Sequence, residues 1–249
     1  MELKQIIDRI QSLYSKGTPS DDTRLSDRLI YNKLITLRSK YISLMAKKKQ
    51  KISQWNYQTI DCVELIKVTT HNCPCLPPIG CEILRTKYEL PSVMTDLNKH
   101  LIQSVTSIEG SLIFSEIPFK DAKYKRHNKY TSTKPDFFIK DDYLYLIGLD
   151  KDMRKLKYIT IIALFEEPLE ALKYPTACGE DKSLCLSPLD EDFPIDLQML
   201  DAIVAEVNAE LLDIYSMTQH DVSNNTDDSV ISSIGSAKLK SQSSKNKEE

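Results

Sequence analysis

The 249-residue chain has no apolar run approaching the roughly 18 residues that a membrane-spanning helix needs. Glycine is scarce, six in all, and none forms a G-x-G-x-x-G turn or a Walker-type run, so a phosphate-cradling loop is excluded. There is no G-x-S-x-G elbow, and the four histidines, at 71, 100, 127 and 220, are scattered without a local signature of nucleophilic catalysis. Carboxylates are plentiful, yet no pair stands out. These absences predict a protein that is not an enzyme and carries no cofactor. The opening MELKQIIDRI has charge inside its apolar stretch and does not read as a secretion signal. No internal repeat is evident.

Six cysteines are present, at 62, 73, 75, 81, 178 and 185. Without a secretion signal, reduced thiols are the expectation. Zinc prefers four thiolate or imidazole ligands from two paired knuckles. Cys73-Pro-Cys75 has one intervening residue and no second knuckle, so Cys62, Cys73, Cys75 and Cys81 are expected to bind no metal.

Charge is segregated along the chain. Residues 1–60 hold 12 Lys/Arg against 5 Asp/Glu, whereas residues 177–249 hold 5 against 15. A basic head and an acidic tail suit head-to-tail contacts between copies, docking on a partner of opposite sign, or simply two solvated faces.

Periodicity divides the chain into a helical hairpin (1–57), a β domain (58–176), an irregular linker with an amphipathic helix (177–215) and an extended arm (216–249). Leu3, Ile6, Ile7, Ile10, Leu13 and Tyr14 follow helical spacing, with a stop at Lys16-Gly17. A longer helix begins near Ser26, with Leu25, Leu29, Leu34, Leu37, Tyr41 and Leu44 as its apolar stripe. It ends in Lys47-Lys48-Lys49-Gln50-Lys51, where a basic last turn complements the helix dipole.

From Gln58 the period becomes that of strands: 60–68, 81–86, 102–107, 111–117, 137–140, 143–147 and 158–165. Glu109-Gly110 and Asp141-Asp142 mark two hairpins. No helix is placed for repeated βαβ crossovers, so the fold class is α+β with a small, mainly antiparallel β domain. Pro194 suits the first turn of a C-terminal helix whose face is Leu197, Leu200, Ile203, Val204, Val207, Leu211 and Ile214.

Two segments invite a binding role. In 120–135, Lys123, Lys125, Arg126 and Lys129 interleave with Tyr124 and Tyr130, a composition that suits a loop facing a subunit interface or a phosphate backbone. The residues from Ser216 onward are mostly Ser, Asn, Asp and Lys. Ordering such a segment costs about 1 kcal/mol per residue, more than its own apolar surface can offset. Val222, Val230, Ile231 and Ile234 are too sparse for a core, and each suits a pocket on an adjacent chain.

The phrases SDDTRLSDRLIYNKL (20–34), KISQWNYQTI (51–60), CPCLPPIGCEILRTKYELP (73–91), NKYTSTKPDFFI (128–139) and ALFEEPLEA (163–171) resemble virion structural proteins of crAss-like, short-tailed bacteriophages. The resemblance implies a homo-oligomeric ring of the head-to-tail connector, stacked on the portal or on other ring and tail proteins in the virion, with about twelve copies in a cyclic assembly. It implies a DNA channel, no membrane contact and no catalytic residues. The alternative from the residues alone is a nucleic-acid-binding accessory protein that uses the basic loop 123–134.

Overall fold

A computed structural model describes residues 1–17, 25–68, 83–97, 99–125, 130, 134–149, 155–178, 187 and 189–223, with backbone alone from 213 onward. Helix α1 (Leu3–Tyr14) buries Leu3, Ile6, Ile7 and Ile10, the i, i+3, i+4, i+7 positions of one face. It closes with Lys16 and Gly17 at positive φ, the Gly17 amide donating to the Ser12 carbonyl. Helix α2 (Asp27–Lys47) buries Ile30, Leu34, Leu37, Arg38 and Ile42. Its expected stripe was misplaced in part, because Leu29 and Leu44 lie at the surface.

Helix α5 (Leu197–Ser223) starts three residues after Pro194 and runs eight residues past Tyr215. It buries Met199, Leu200, Ile203, Val204, Val207 and Leu211 against the apolar faces of α1 and α2, so three helices from both ends of the chain share one core. Leu197, assigned to that face from spacing, is 68% exposed at the first turn. The N-terminus is pinned to the segment before α5, with the Leu3 and Lys4 amides donating to the Glu191 and Leu189 carbonyls.

The strands are β1 (Gln58–Val68), β2 (Ile83–Thr86), β3 (Thr95–Asp96), β4 (Lys99–His100), β5 (Ile102–Ser107), β6 (Ile113–Glu116), β7 (Asp136–Lys140), β8 (Tyr143–Ile147) and β9 (Tyr158–Ala163). Strands β3 and β4 form a separate two-stranded ribbon. The other seven close a barrel in the order β1-β2-β8-β7-β6-β5-β9. The β domain is therefore mainly antiparallel, as expected, but it closes into a seven-stranded barrel, which the strand pattern did not anticipate. An odd ring of strands cannot alternate direction all the way round, so at least one neighbouring pair must run parallel. That pair is β6–β7, and the connection between them carries the short helix α3 (Phe119–Ala122).

The barrel interior holds Ile60, Val63, Leu65, Val105, Phe114, Phe137, Leu144, Leu146, Ile159 and Ile161. Alternate residues of β2, β7 and β8, including Ile83, Phe138, Tyr145 and Ile147, are also buried, because Phe119 and Ala122 of α3 cover that outer face. Phe138 stacks on Tyr145 with ring centroids 5.0 Å apart. Both expected hairpins form: Asp141 and Asp142 have φ of 51° and 59°, the geometry of a type I′ turn between β7 and β8.

The register of β1 on β9 shifts between Ile60 and Val63, and within this bulge Cys62 has φ 55°. The bulge turns Cys62 toward the segment after helix α4 (Pro168–Leu172), where it forms a disulfide with Cys178, 116 residues away. These two thiols are paired, contrary to the expectation of reduced cysteines. Cys73, Cys75, Cys81 and Cys185 lie outside the described residues.

Candidate assembly surface

The helical core and the barrel meet at Arg38, which is fully buried near the middle of α2. Its Nε, Nη1 and Nη2 donate to the carbonyl oxygens of Pro194, Phe165 and Asn56, each at 2.9 Å. One guanidinium thus ties together the approach to α5, the residue just past β9 and the 3-10 turn Gln54–Asn56. Burial lowers its pKa from 12.5 to about 10. Asn56, itself buried, extends the junction by accepting the Asp196 amide at 3.0 Å on Oδ1. Arg38, which lies between stripe positions of α2 and which sequence reasoning did not single out, is a buried polar centre of the molecule.

Part of the segregated charge is paired inside the chain. Arg9 pairs with Asp201 at 2.8 Å and Lys33 with Glu210 at 2.6 Å, and Lys40 and Tyr41 both donate to Glu206. Those two hydrogen bonds hold the Glu206 carboxyl below its ordinary range. The basic head and acidic tail therefore meet along α5 in one subunit, an arrangement that spacing alone did not distinguish from contact between copies.

The basic loop divides. Tyr124 is 61% exposed, and the Lys123 ammonium sits 4.8 Å from the centre of its ring. Lys125, grouped with them from sequence, instead points inward: it is 7% exposed and donates to the Lys134 carbonyl and the Asp136 carboxylate. Burial holds its ammonium below the ordinary range while Asp136 opposes that shift. Gly148 makes room for this contact, since a Cβ there would stand 2.9 Å from Cε and Nζ of Lys125 and 2.0 Å from the Lys134 carbonyl oxygen. Lys125 thus anchors the two ends of the loop and leaves Lys123 as the described cation of that set in solvent. Arg126 and Lys129 lie outside the described residues.

Of the arm residues, Val222 belongs to the last turn of α5 and not to an extended segment, since residues 216–223 are helical. Val230, Ile231 and Ile234 lie outside the described residues. No group of His, Cys, Asp and Glu suited to a metal occurs among the described residues. No helix among them is long and apolar enough to cross a membrane.

The surface also carries apolar side chains that the strand and helix patterns did not flag. Leu97 protrudes at the tip of the β3–β4 ribbon and Ile113 from β6. Trp55, the only tryptophan of the chain, is 77% exposed in the 3-10 turn. Its position in a polar connector between helix and strand was the available signal, because an apolar residue outside any periodic stripe has no core to join.

Among the described residues the distinctive features are surfaces. A family model described as phage tail ring protein 2 matches residues 5–230, from α1 through the barrel and past the end of α5. The chain belongs to this family of phage tail ring proteins. It is accordingly a structural component of the phage virion, of the kind that assembles with other virion proteins as a ring. No curated protein matches the chain.

Proposed function

We propose that the protein is a subunit of a ring in the head-to-tail connector, stacking on the portal or an adjacent ring and surrounding a channel for DNA, in about twelve copies as a cyclic assembly. The observation that carries this reading is the extent of the family match, which takes in the helical layer and the barrel as one unit. The closed barrel supports it further. Closure leaves none of the seven strands as a free edge, so copies meet through side-chain faces and hairpin tips rather than by adding strands. Leu97 and Ile113 are exposed apolar anchors suited to such contacts. The segment from 224 to 249 serves in this reading as the arm that grips the next ring.

Native mass spectrometry and negative-stain imaging of the chain, alone and mixed with the portal of the same phage, test the proposal. A closed ring with rotational symmetry that binds the portal is expected. A chain that stays monomeric under both conditions would overturn it.

A further inference from the structure

We propose that the C-terminal end of α2 and the turn after it form a DNA-contacting patch, in which Lys47, Lys48, Lys49 and Lys51 meet phosphates and Trp55 packs on a sugar or base. The ring reading enters only in setting such patches around a common channel; binding to DNA is a property of the single chain.

The lysines differ from the other described cations of the helical layer that have partners. Arg9, Lys33 and Lys40 pair with carboxylates of α5, and Arg38 is consumed by three carbonyls. Among the described residues Lys47, Lys48, Lys49 and Lys51 have no ion pair or hydrogen-bonded side-chain partner, and all four are exposed. Four unpaired charges thus fall within five residues. They are held in a defined curl: the Lys49 and Gln50 amides donate to the Ala46 and Met45 carbonyls, and Lys49 sits at φ 53°.

Trp55 is displayed by a fixed support. The 3-10 turn that carries it is locked by Arg38 on the Asn56 carbonyl and by the Asp196 amide on the Asn56 side chain. Four Cα-to-Cα steps separate Lys51 from Trp55, at most about 14 Å even fully extended. A rigidly presented indole beside a basic curl combines a stacking surface with backbone neutralisation. The indole N–H is a donor only, which suits the acceptor-rich surface of a nucleic acid.

The composition favours DNA over a second copy of this chain. Lysine is depleted at the cores of protein interfaces, and here four closely precede the aromatic anchor in the chain. On α5, the complementary acidic surface that a copy would offer, Asp201, Glu206 and Glu210 are already paired with α1 and α2. A patch repeated around a ring adds its potential at the axis, so modest binding by one subunit becomes a continuous field.

Because Trp55 is the only tryptophan, intrinsic fluorescence of the full chain reports the patch directly. The probes are a 30-base-pair duplex, an oligothymidylate and inorganic polyphosphate, titrated at about 50 mM salt. Both DNAs should change Trp55 emission, with a log–log salt slope of roughly −3.6 for the duplex and −2.8 for the single strand if all four lysines engage phosphates. Lys48→Glu/Lys49→Glu/Lys51→Glu should weaken DNA binding at least tenfold, read by anisotropy of labelled DNA, with an unchanged melting temperature. Trp55→Ala should weaken single-strand binding about fivefold or more if the ring stacks on bases, and affect the duplex less.

Unchanged DNA affinity in the triple variant overturns the proposal. So does an emission change as large with polyphosphate as with DNA when Trp55→Ala has no effect, which would reduce the patch to polyanion attraction. A triple variant that binds DNA normally but no longer joins the ring would make this a protein interface, overturning the patch and leaving the ring reading intact. DNA binding lost in a variant that still forms rings supports it. If the unaltered chain binds DNA through these residues and forms no ring, the ring reading fails and the patch stands.

Discussion

Arg38→Met is the most informative single change to the fold. The side chains are similar in length, so little cavity forms, but three buried carbonyls, those of Pro194, Phe165 and Asn56, lose their donor. Leaving a buried acceptor unsatisfied costs about 1–3 kcal/mol, or roughly 6 kcal/mol for the three at the middle of that range. Against this, removing the guanidinium relieves its desolvation. The fall of the Arg38 pKa from 12.5 to about 10 values that relief at about 3 kcal/mol. The net loss is then about 3 kcal/mol, equivalent to roughly 6–12 °C of melting temperature for a chain of this size. Arg38→Lys should fall between wild type and Met, because an ammonium on one stem cannot serve three divergent acceptors. Urea unfolding followed by far-UV circular dichroism gives the numbers. A Met variant within about 1 kcal/mol of wild type would mean that water satisfies these carbonyls equally well, and the account of the junction would be wrong.

Three further outcomes are expected. The Glu206 carboxyl is held below its ordinary 4.5 by Lys40 and Tyr41, so the stability it adds is present above that value and is lost as pH falls through its lower folded value; Glu206→Gln should flatten the acid limb of the stability profile, and an unchanged limb refutes the assignment. Opening the Cys62–Cys178 bridge frees a loop of 116 residues, worth up to about 5 kcal/mol of denatured-state entropy, so dithiothreitol should lower the melting temperature and have no effect on Cys62→Ala/Cys178→Ala. Equal melts with and without reductant would show that the bridge adds nothing. Deleting residues 224–249 removes none of the described core, whose last α5 member is Leu211, and should leave the monomer's melt nearly unchanged while blocking virion incorporation; a large loss of monomer stability would mean that the arm packs on its own subunit.

Local physics was legible where it decided the outcome. Alternation in 102–107 and 143–147 placed β5 and β8 to the residue, and Asp141-Asp142 marked a turn that requires positive φ twice. Barrel closure was not legible, because it depends on β9 pairing with both β1 and β5, contacts far apart in sequence. Given seven strands and closure, a parallel pair follows by parity, but that it is β6–β7 does not. Leu29 and Leu44 satisfied the helical period as well as Ile30 and Ile42 did, and only the position of α5 chooses between the two faces. Lys125 looked like its neighbours until Asp136, eleven residues on, met it in the interior.

The fate of the charges bears directly on how copies join. An exposed ion pair is worth at most about 1 kcal/mol, so Arg9–Asp201, Lys33–Glu210 and Lys40–Glu206 add little to overall stability. Their greater effect is on register. Successive pairs along α5 penalise any slide of that helix by one turn, since each slide would separate opposite charges and leave them facing apolar or like-charged neighbours. A subunit that pairs three cations of its helical layer with α5 in this way has fewer charges along α5 left to attract another copy. On the ring reading, subunit contacts then fall to the apolar anchors at the hairpin tip and the barrel wall, Leu97 and Ile113. The unpaired lysines at the end of α2 remain available to a polyanion. Leu97→Asp should therefore abolish ring formation while sparing DNA binding, and the lysine variants should do the reverse. Two surfaces that failed together in both assays would refute this division of labour.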